Sequence, residues 1–257
     1  MSARPIASKT FGSIPVHIFE SNEQLGQRAA DDFSNHVTGL LREQESAAVI
    51  LATGNSQLTF INALRMKKEL PWHRISVFHM DEYLGMSETH PQSFSRYIRE
   101  RLVNYVHPAA FYPIFGDSAD ANLEMKRYAD LLMRFPPDLC VLGIGENGHL
   151  AFNDPPVNFE TKEILKIVTL DQKCRMQQVN EGHFPTIEEV PPQALTLTVP
   201  ALLSAKHVLA VVPEARKAVA VKSALEGPVT PYCPASILRT KPNVVMYLDR
   251  DSSSLLS

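Results

Sequence analysis

Three polar clusters interrupt otherwise apolar stretches of this chain, and each holds residue types that move protons or hold anions. The first is Thr53-Gly54-Asn55-Ser56. A glycine-containing turn that opens a helix offers unpaired backbone N–H groups and the positive end of a helix dipole. The hydroxyls of Thr53 and Ser56 add donors, so the turn can cradle a phosphate. No Gly-Lys-Ser/Thr follows it and no GxGxxG surrounds it, so it is neither a Walker loop nor a dinucleotide fingerprint. The plain alternative is a strand-to-helix turn with Ser56 as N-cap. The second cluster is Met80-Asp81-Glu82-Tyr83. Adjacent residues of an extended chain face opposite ways, so one acid can face a crevice while the other pairs with a structural base. The alternative is a solvated turn or a helix cap. A metal set of His79, Asp81 and His90 would lack any HExxH-type spacing.

The third cluster is Gly145-Glu146-Asn147-Gly148-His149, followed by Asp154. Gly148 lets backbone approach a ligand closely. His149 titrates near neutrality and suits general acid–base work. Asp154 can orient it as the third member of a triad orients its base. The alternative is a structural histidine bonded to a carbonyl. Two cations complete a phosphate site if they reach it: Arg175 as a fork and Lys217 as a point charge. Otherwise both are solvated surface charges.

The elements that must position these clusters alternate between helix and short apolar strand. That order predicts an α/β fold: a mostly parallel sheet covered by helices. Ser21 to Gln24 reads as a capping box, and Leu25, Ala29, Phe33, Val37 and Leu41 form the apolar stripe of a first helix. Strands are expected at Ala47–Ala52, Ile75–Met80, Leu139–Ile144, Val208–Val212 and Asn243–Leu248. Helices are expected at about Leu58–Glu69, Ser93–Val106, Asn122–Arg134 (stopped by Pro136 and Pro137) and Glu214–Leu225. Each cluster follows a buried strand, and parallel sheets bind ligands outside their strands' carboxyl ends, so the three are expected to share one crevice. The polar, Pro- and Gln-rich stretch at about 155–195 reads as a lid-like excursion over that crevice.

Composition bounds the partners. The chain has 257 residues, 44% hydrophobic and 21% charged, with a formal net charge of -3. One domain, 1–257, is the default at this length. No basic run predicts nucleic acid or a membrane surface as partner. No stretch approaches the roughly 18 apolar residues of a membrane span, and the first ten residues lack an apolar core for a signal peptide. The 3 cysteines form no CxxC pair, which points to a reduced, cytoplasmic protein. A homo-oligomer is allowed, and nothing fixes a copy number.

Taken together, LATGNSQ, FHMDEYLGM with HPQSF, GIGENGHLAFNDP, ALTLTVPALL, LEGPVT and PASIL resemble the glucosamine-6-phosphate deaminase family, related to the 6-phosphogluconolactonases. The resemblance covers most of the chain. It implies a modified Rossmann-like domain that converts glucosamine 6-phosphate to fructose 6-phosphate and ammonia without a cofactor or metal. It implies that Asp81 moves a proton between C2 and C1 and that His149, supported by Asp154, helps open the ring. Phosphate would be held by Thr53, Gly54, Asn55 and Ser56 with Arg175 and Lys217, and a gap-free shift would put Lys173 in place of Arg175. Asn147 stands where the family carries Asp, Asp154 where it carries Glu, and Asn55 where it carries Gly. An asparagine gives an imidazolium no charge, so His149 is expected to be less basic here. No basic cluster follows Asp154 like the one some members use for an allosteric sugar phosphate. Rival readings are a galactosamine 6-phosphate deaminase or isomerase, a 6-phosphogluconolactonase and a non-catalytic sugar-phosphate sensor. The sensor should have lost Asp81 or His149, and both remain.

Overall fold

The computed structural model describes residues 3–257; Met1 and Ser2 of the expected domain lie outside them. β1 (Ala7–Phe11) and β2 (Ile14–Phe19) form an antiparallel hairpin. Next come α1 (Asn22–Leu40), β3 (Ala47–Leu51), a 3-10 turn at Asn55–Gln57 that runs into α2 (Leu58–Leu64), and β4 (Ile75–His79). β5 (Asp81–Tyr83) precedes α3 (Phe94–Ile98), which continues through a π segment, Arg99–Val103, into α4 (Asn104–Val106). β6 (Ala110–Tyr112), α5 (Ala121–Arg134) and β7 (Leu139–Leu142) follow. The remainder holds β8 (Leu165–Thr169), α6 (Gln172–Asn180), β9 (Gln193–Leu197), α7 (Val199–Leu202), β10 (His207–Val212), α8 (Ala218–Glu226) and β11 (Val244–Asp249).

The large sheet has the order β1-β2-β11-β10-β7-β3-β4-β6. Only the β1–β2 pairing is antiparallel. Its central strands are buried on both faces, and successive residues feed two separate cores. Val49, Leu51, Val77, Val141 and Val211 pack under α1 and α2. Ala48, Ile50, Phe78, Leu142 and Ala210 pack under α5 and α8. This is the period-2 alternation of a strand covered on both sides. The Ser21 side chain caps α1 by accepting the Gln24 N–H, and its apolar stripe from Leu25 to Val37 is buried. The chain leaves β3 towards β4 on one side, and β7 lies on the other side of β3. The crevice for a ligand therefore opens where β3 and β7 diverge.

Three expectations are corrected. α2 stops at Leu64 and not near Glu69. The run Arg65–Glu69 has little to bury, whereas Leu70 and Trp72 must turn back into the core. Asp81–Tyr83 is not a solvated turn. It is β5, a buried strand paired antiparallel with β9 in a second sheet of order β5-β9-β8. No helix or strand is expected within 155–195, yet it carries β8, α6 and the start of β9 over an apolar centre of Tyr83, Phe152, Leu170, Phe184 and Val190. Alternating exposure along β8 and the absence of an apolar stripe on α6 conceal both elements from pattern reading.

Candidate active site

The carboxyl ends of β4, β3, β7 and β10 stand side by side, and one pocket opens across them. Thr53, Gly54 and Ser56 line it from the end of β3, Asp81 from β4–β5, and Gly143, Gly145 and His149 from β7. Lys217 reaches it from the turn after β10. The strand order sets Asp81 on one flank and Lys217 on the other. Clusters nearly a hundred residues apart thus share a cavity because consecutive parallel strands deliver their ends to one edge.

The two neighbouring acids of β5 have different fates. Strand alternation sends Asp81 to the pocket and Glu82 away from it. Glu82 meets no base. Its carboxylate accepts from the Tyr83 N–H at 3.0 Å, the Ser93 hydroxyl at 2.7 Å, the Phe94 N–H at 3.2 Å and the Ser95 N–H at 3.0 Å. It is a buried cap on the N-terminus of α3, so HPQSF serves to satisfy this carboxylate. Burial pushes Glu82 up to about 7 while those hydrogen bonds hold it down. Asp81 is 6% exposed, and its carboxylate accepts no hydrogen bond among the described residues. Burial, and then the charge of Glu82, push it up to about 8. Asp81 is therefore a carboxyl group of raised proton affinity facing the cavity.

His149 is fixed by its loop. Its N–H donates to Asn147 Oδ1 at 3.0 Å, and Asn147 Nδ2 donates to Asp154 Oδ1 at 2.9 Å. Asp154 Oδ1 lies 3.2 Å from His149 Nδ1, within ion-pair reach but not aligned as a hydrogen bond. Burial alone would raise Asp154; the contacts from His149, Asn147 and the Asp171 N–H outweigh it and hold the group below its ordinary value. Gly145 is required because a Cβ there would sit 2.2 Å from the imidazole. Gly148, at φ +85°, makes the turn that returns the chain to His149 and does not line the pocket. Asn147 also stays out of the pocket: it links Asp154 to the His149 backbone and does not meet the ring. His149, Asp154 and Cys174 bring ligand atoms within 4.8 Å of one another, a spacing a metal ion could bridge. His79 is committed elsewhere, since its Nε2 accepts the Ile114 N–H at 2.8 Å and burial lowers it to about 3.

The other flank is built for an anion. Lys217 is 3% exposed, and among the described residues its ammonium makes no ion pair or hydrogen bond. Burial and the charge of Arg216 lower its proton affinity, against the pull of Glu181, Glu146 and Glu214. The N–H groups of Gly54, Asn55 and Ser56 find no acceptor among the described residues. A buried cation beside orphan N–H donors is a strong demand for a negatively charged ligand.

Residues 20–246 match the family model described as glucosamine-6-phosphate isomerases/6-phosphogluconolactonase. The chain belongs to this family. Among curated relatives, a glucosamine-6-phosphate deaminase of Exiguobacterium sibiricum is 35% identical over 218 residues, which are 85% of this chain and 84% of that protein. One of Bacillus cereus strain G9842 is 34% identical over 218 residues, 85% of this chain and 81% of its own. A solved monomeric glucosamine-6-phosphate deaminase superposes with a TM-score of 0.86 at 30% identity, covering 93% of this chain and 99% of its own. The 6-phosphogluconolactonase of Thermotoga maritima shares the fold with a TM-score of 0.75 at 20% identity, over 94% of this chain and 100% of its own.

Within this family frame, several expected residues stay outside the pocket. Arg175 turns away: its Nη2 donates to the carbonyls of Ile187 and Val190 and so ties α6 to the chain that follows it. Lys173 lies in a separate surface hollow with Glu146 and Asn147. Asn55 points its Nδ2 at the Glu181 carbonyl, 3.3 Å away, and does not line the pocket. Pattern reading misses Phe94 and the residues at the end of α6 and just beyond it, Gln177, Gln178, Glu181 and His183, all of which line the pocket. Their signal is the cluster of long polar side chains in QQVNEGH, at helical spacing but with no apolar partner to mark it.

Proposed function

We propose that the protein is a glucosamine-6-phosphate deaminase that isomerises its substrate, releasing fructose 6-phosphate and ammonia in amino sugar catabolism. The observation that carries this reading is the presence, in one pocket, of a largely buried carboxyl group with no hydrogen-bond donor (Asp81) and a buried, unpaired ammonium (Lys217). A small hexosamine 6-phosphate fits that polarity, with the phosphate at Lys217 and the 53–56 turn and the reacting carbons at Asp81. The relatives at 34–35% identity named as deaminases support the same substrate.

His149, backed by Asp154, shifts the ring-opening proton between the ring oxygen and the C1 hydroxyl. In the open chain the C2 proton lies next to a carbonyl and is acidic enough for a carboxylate base. Asp81 takes it while the C2 ammonium gives up a proton to the C1 oxygen, leaving an enolamine; Asp81 then returns its proton to C1, which makes C2 an iminium. Water then adds to the C2 iminium and ammonia departs. Each proton leaves one atom and arrives at another, with water the only other reactant. General acid–base catalysis of this kind gives ~10²–10⁴-fold, and anchoring at the phosphate supplies the positioning. Three free thiols fit action in the reducing cytoplasm, and no helix among the described residues is long and apolar enough to cross a membrane.

The test is incubation with glucosamine 6-phosphate while ammonia and fructose 6-phosphate are followed together. Equimolar release of both is expected. Turnover of 6-phosphogluconolactone or galactosamine 6-phosphate in preference to glucosamine 6-phosphate would overturn the assignment.

A further inference from the structure

The following rests on the phosphate reading above. A sugar phosphate carries about −1.5 to −2 charges near neutrality, and Lys217 alone supplies one positive charge. Arg175, the second cation the sequence offers, is committed to the Ile187 and Val190 carbonyls. Arg216, the residue immediately before Lys217, does not itself line the pocket, but it is bonded to Glu181, which does. Arg216 shares the 3-10 turn Ala215–Lys217, and its guanidinium is held by carboxylates. Nε pairs with Glu214; Nη1 pairs with Glu181 and reaches Glu146 Oε1 at 3.4 Å.

Glu181 is the informative partner, because it lines the pocket together with Lys217. Besides Arg216, its carboxylate is held by Gln177 Nε2 at 2.7 Å and faces His183 Nε2 at 3.2 Å. A guanidinium, an amide and an imidazole converging on one carboxylate beside a buried lysine are the donors an oxyanion would use. Burial alone would raise Glu181; the bond from His183, the charge and bond of Arg216 and the bond from Gln177 hold it at about 2. It therefore stays charged at any working pH and opposes an incoming anion.

We propose that Arg216 is the second cation of the phosphate site and that Glu181 is its placeholder, a carboxylate that occupies the guanidinium in the empty protein and yields it to the substrate's phosphate. The exchange never leaves the guanidinium unpaired, and the displaced Glu181 keeps its contacts with Gln177 and His183, so it costs less than breaking a partly buried ion pair outright. It also makes binding selective. A sugar without a phosphate has nothing with which to displace Glu181.

The experiment is calorimetric titration of the full chain with inorganic phosphate, alongside KM and kcat for glucosamine 6-phosphate. Wild type, Lys217→Met, Arg216→Met, Arg216→Lys, Glu181→Gln and the Arg216→Met/Glu181→Gln double variant are compared. Arg216→Met should weaken phosphate binding by about tenfold or more, with the loss in turnover falling on KM and Arg216→Lys recovering part of it. Glu181→Gln should tighten phosphate binding by about fivefold, a gain that a damaged fold cannot produce. The double variant should resemble Arg216→Met, since a placeholder without its cation has nothing to block. If Lys217→Met binds phosphate as wild type does, the phosphate reading fails and this inference with it. If Lys217→Met abolishes binding while Arg216→Met and Glu181→Gln stay within about twofold of wild type, the inference alone is overturned.

Discussion

The pocket has two kinds of wall. One is the carboxyl edge of the large sheet, where β3, β7 and β10 are buried on both faces and each ends abruptly in polar residues. The other is the small sheet β5-β9-β8 with α6, a thinner layer over one modest apolar centre. Thr53, His149 and Lys217 belong to the first wall and Gln177, Gln178, Glu181 and His183 to the second. Asp81 stands at the seam, on the strand where the chain leaves one sheet for the other. The first wall holds its groups through strand ladders and tight turns. The second is attached by Leu165, Leu195 and Leu197, which pack into the core under α5, by the Leu197 N–H donating to the Met80 carbonyl, and by side-chain bonds such as Arg216 to Glu181.

The largest expected effect lies at the seam. Asp81→Asn should lower kcat by about 10³-fold or more, measured as fructose 6-phosphate release. The same change should raise thermal stability. Asp81 keeps its proton in the folded protein up to about pH 8 and releases it near 4 when unfolded. The folded state therefore binds more protons over that window, and wild-type stability falls as pH rises through it. The gain from Asn should be absent below about pH 4 and grow to about 4 °C or more in melting temperature above pH 8. A gain independent of pH would show that Asp81 is not the buried acid described. Wild-type kcat/KM should correspondingly rise with pH up to about 8 as Asp81 ionises.

Next in size is the rigid edge itself. Gly145→Ala puts a methyl group within 2.2 Å of the His149 ring, so the ring must move off Asp154. Turnover should fall by about 10²-fold with the fold retained by circular dichroism. Full activity would mean that His149 has no fixed orientation. Glu82→Gln should then cost about 2 kcal/mol of stability in denaturant titration, because its amide turns a donor towards the N–H groups at the start of α3. An unchanged midpoint would remove Glu82 as the cap of that helix.

These positions differ in how far the sequence alone reveals them. Strand ends on the rigid edge announce themselves: apolar runs such as Ala47–Leu51 and Leu139–Leu142 stop at glycine and polar residues, and their parallel order predicts a common crevice. The division of labour between Asp81 and Glu82 is only half legible. Alternation separates them, but the choice of a helix cap over a base as Glu82's partner depends on where α3 lands. The wall made by α6 is not legible, because a polar helix without an apolar stripe looks like loop and the partners that seat it, Tyr83 for Gln178 and Arg216 for Glu181, lie far off in the chain. Arg175 shows the cost: its place in the chain suggests a phosphate grip, and tertiary packing turns it to two carbonyls.

The smallest expected effect sharpens that last contrast. Arg175→Ala should destabilise the protein by about 1–2 kcal/mol, by freeing the Ile187 and Val190 carbonyls, and leave KM within about twofold. A tenfold rise in KM would return Arg175 to the phosphate site and assign the attached layer a direct grip on substrate.

The most direct test of the central claim follows the proton that Asp81 is held to carry. Glucosamine 6-phosphate deuterated at C2 would be turned over by wild type and by Asp81→Asn, and the label at C1 of fructose 6-phosphate measured by mass spectrometry. Wild type should show a slowed reaction and part of the deuterium at C1, and Asp81→Asn should form no product above background. Product from Asp81→Asn with label still delivered to C1 would contradict the account, because another group would then be the base.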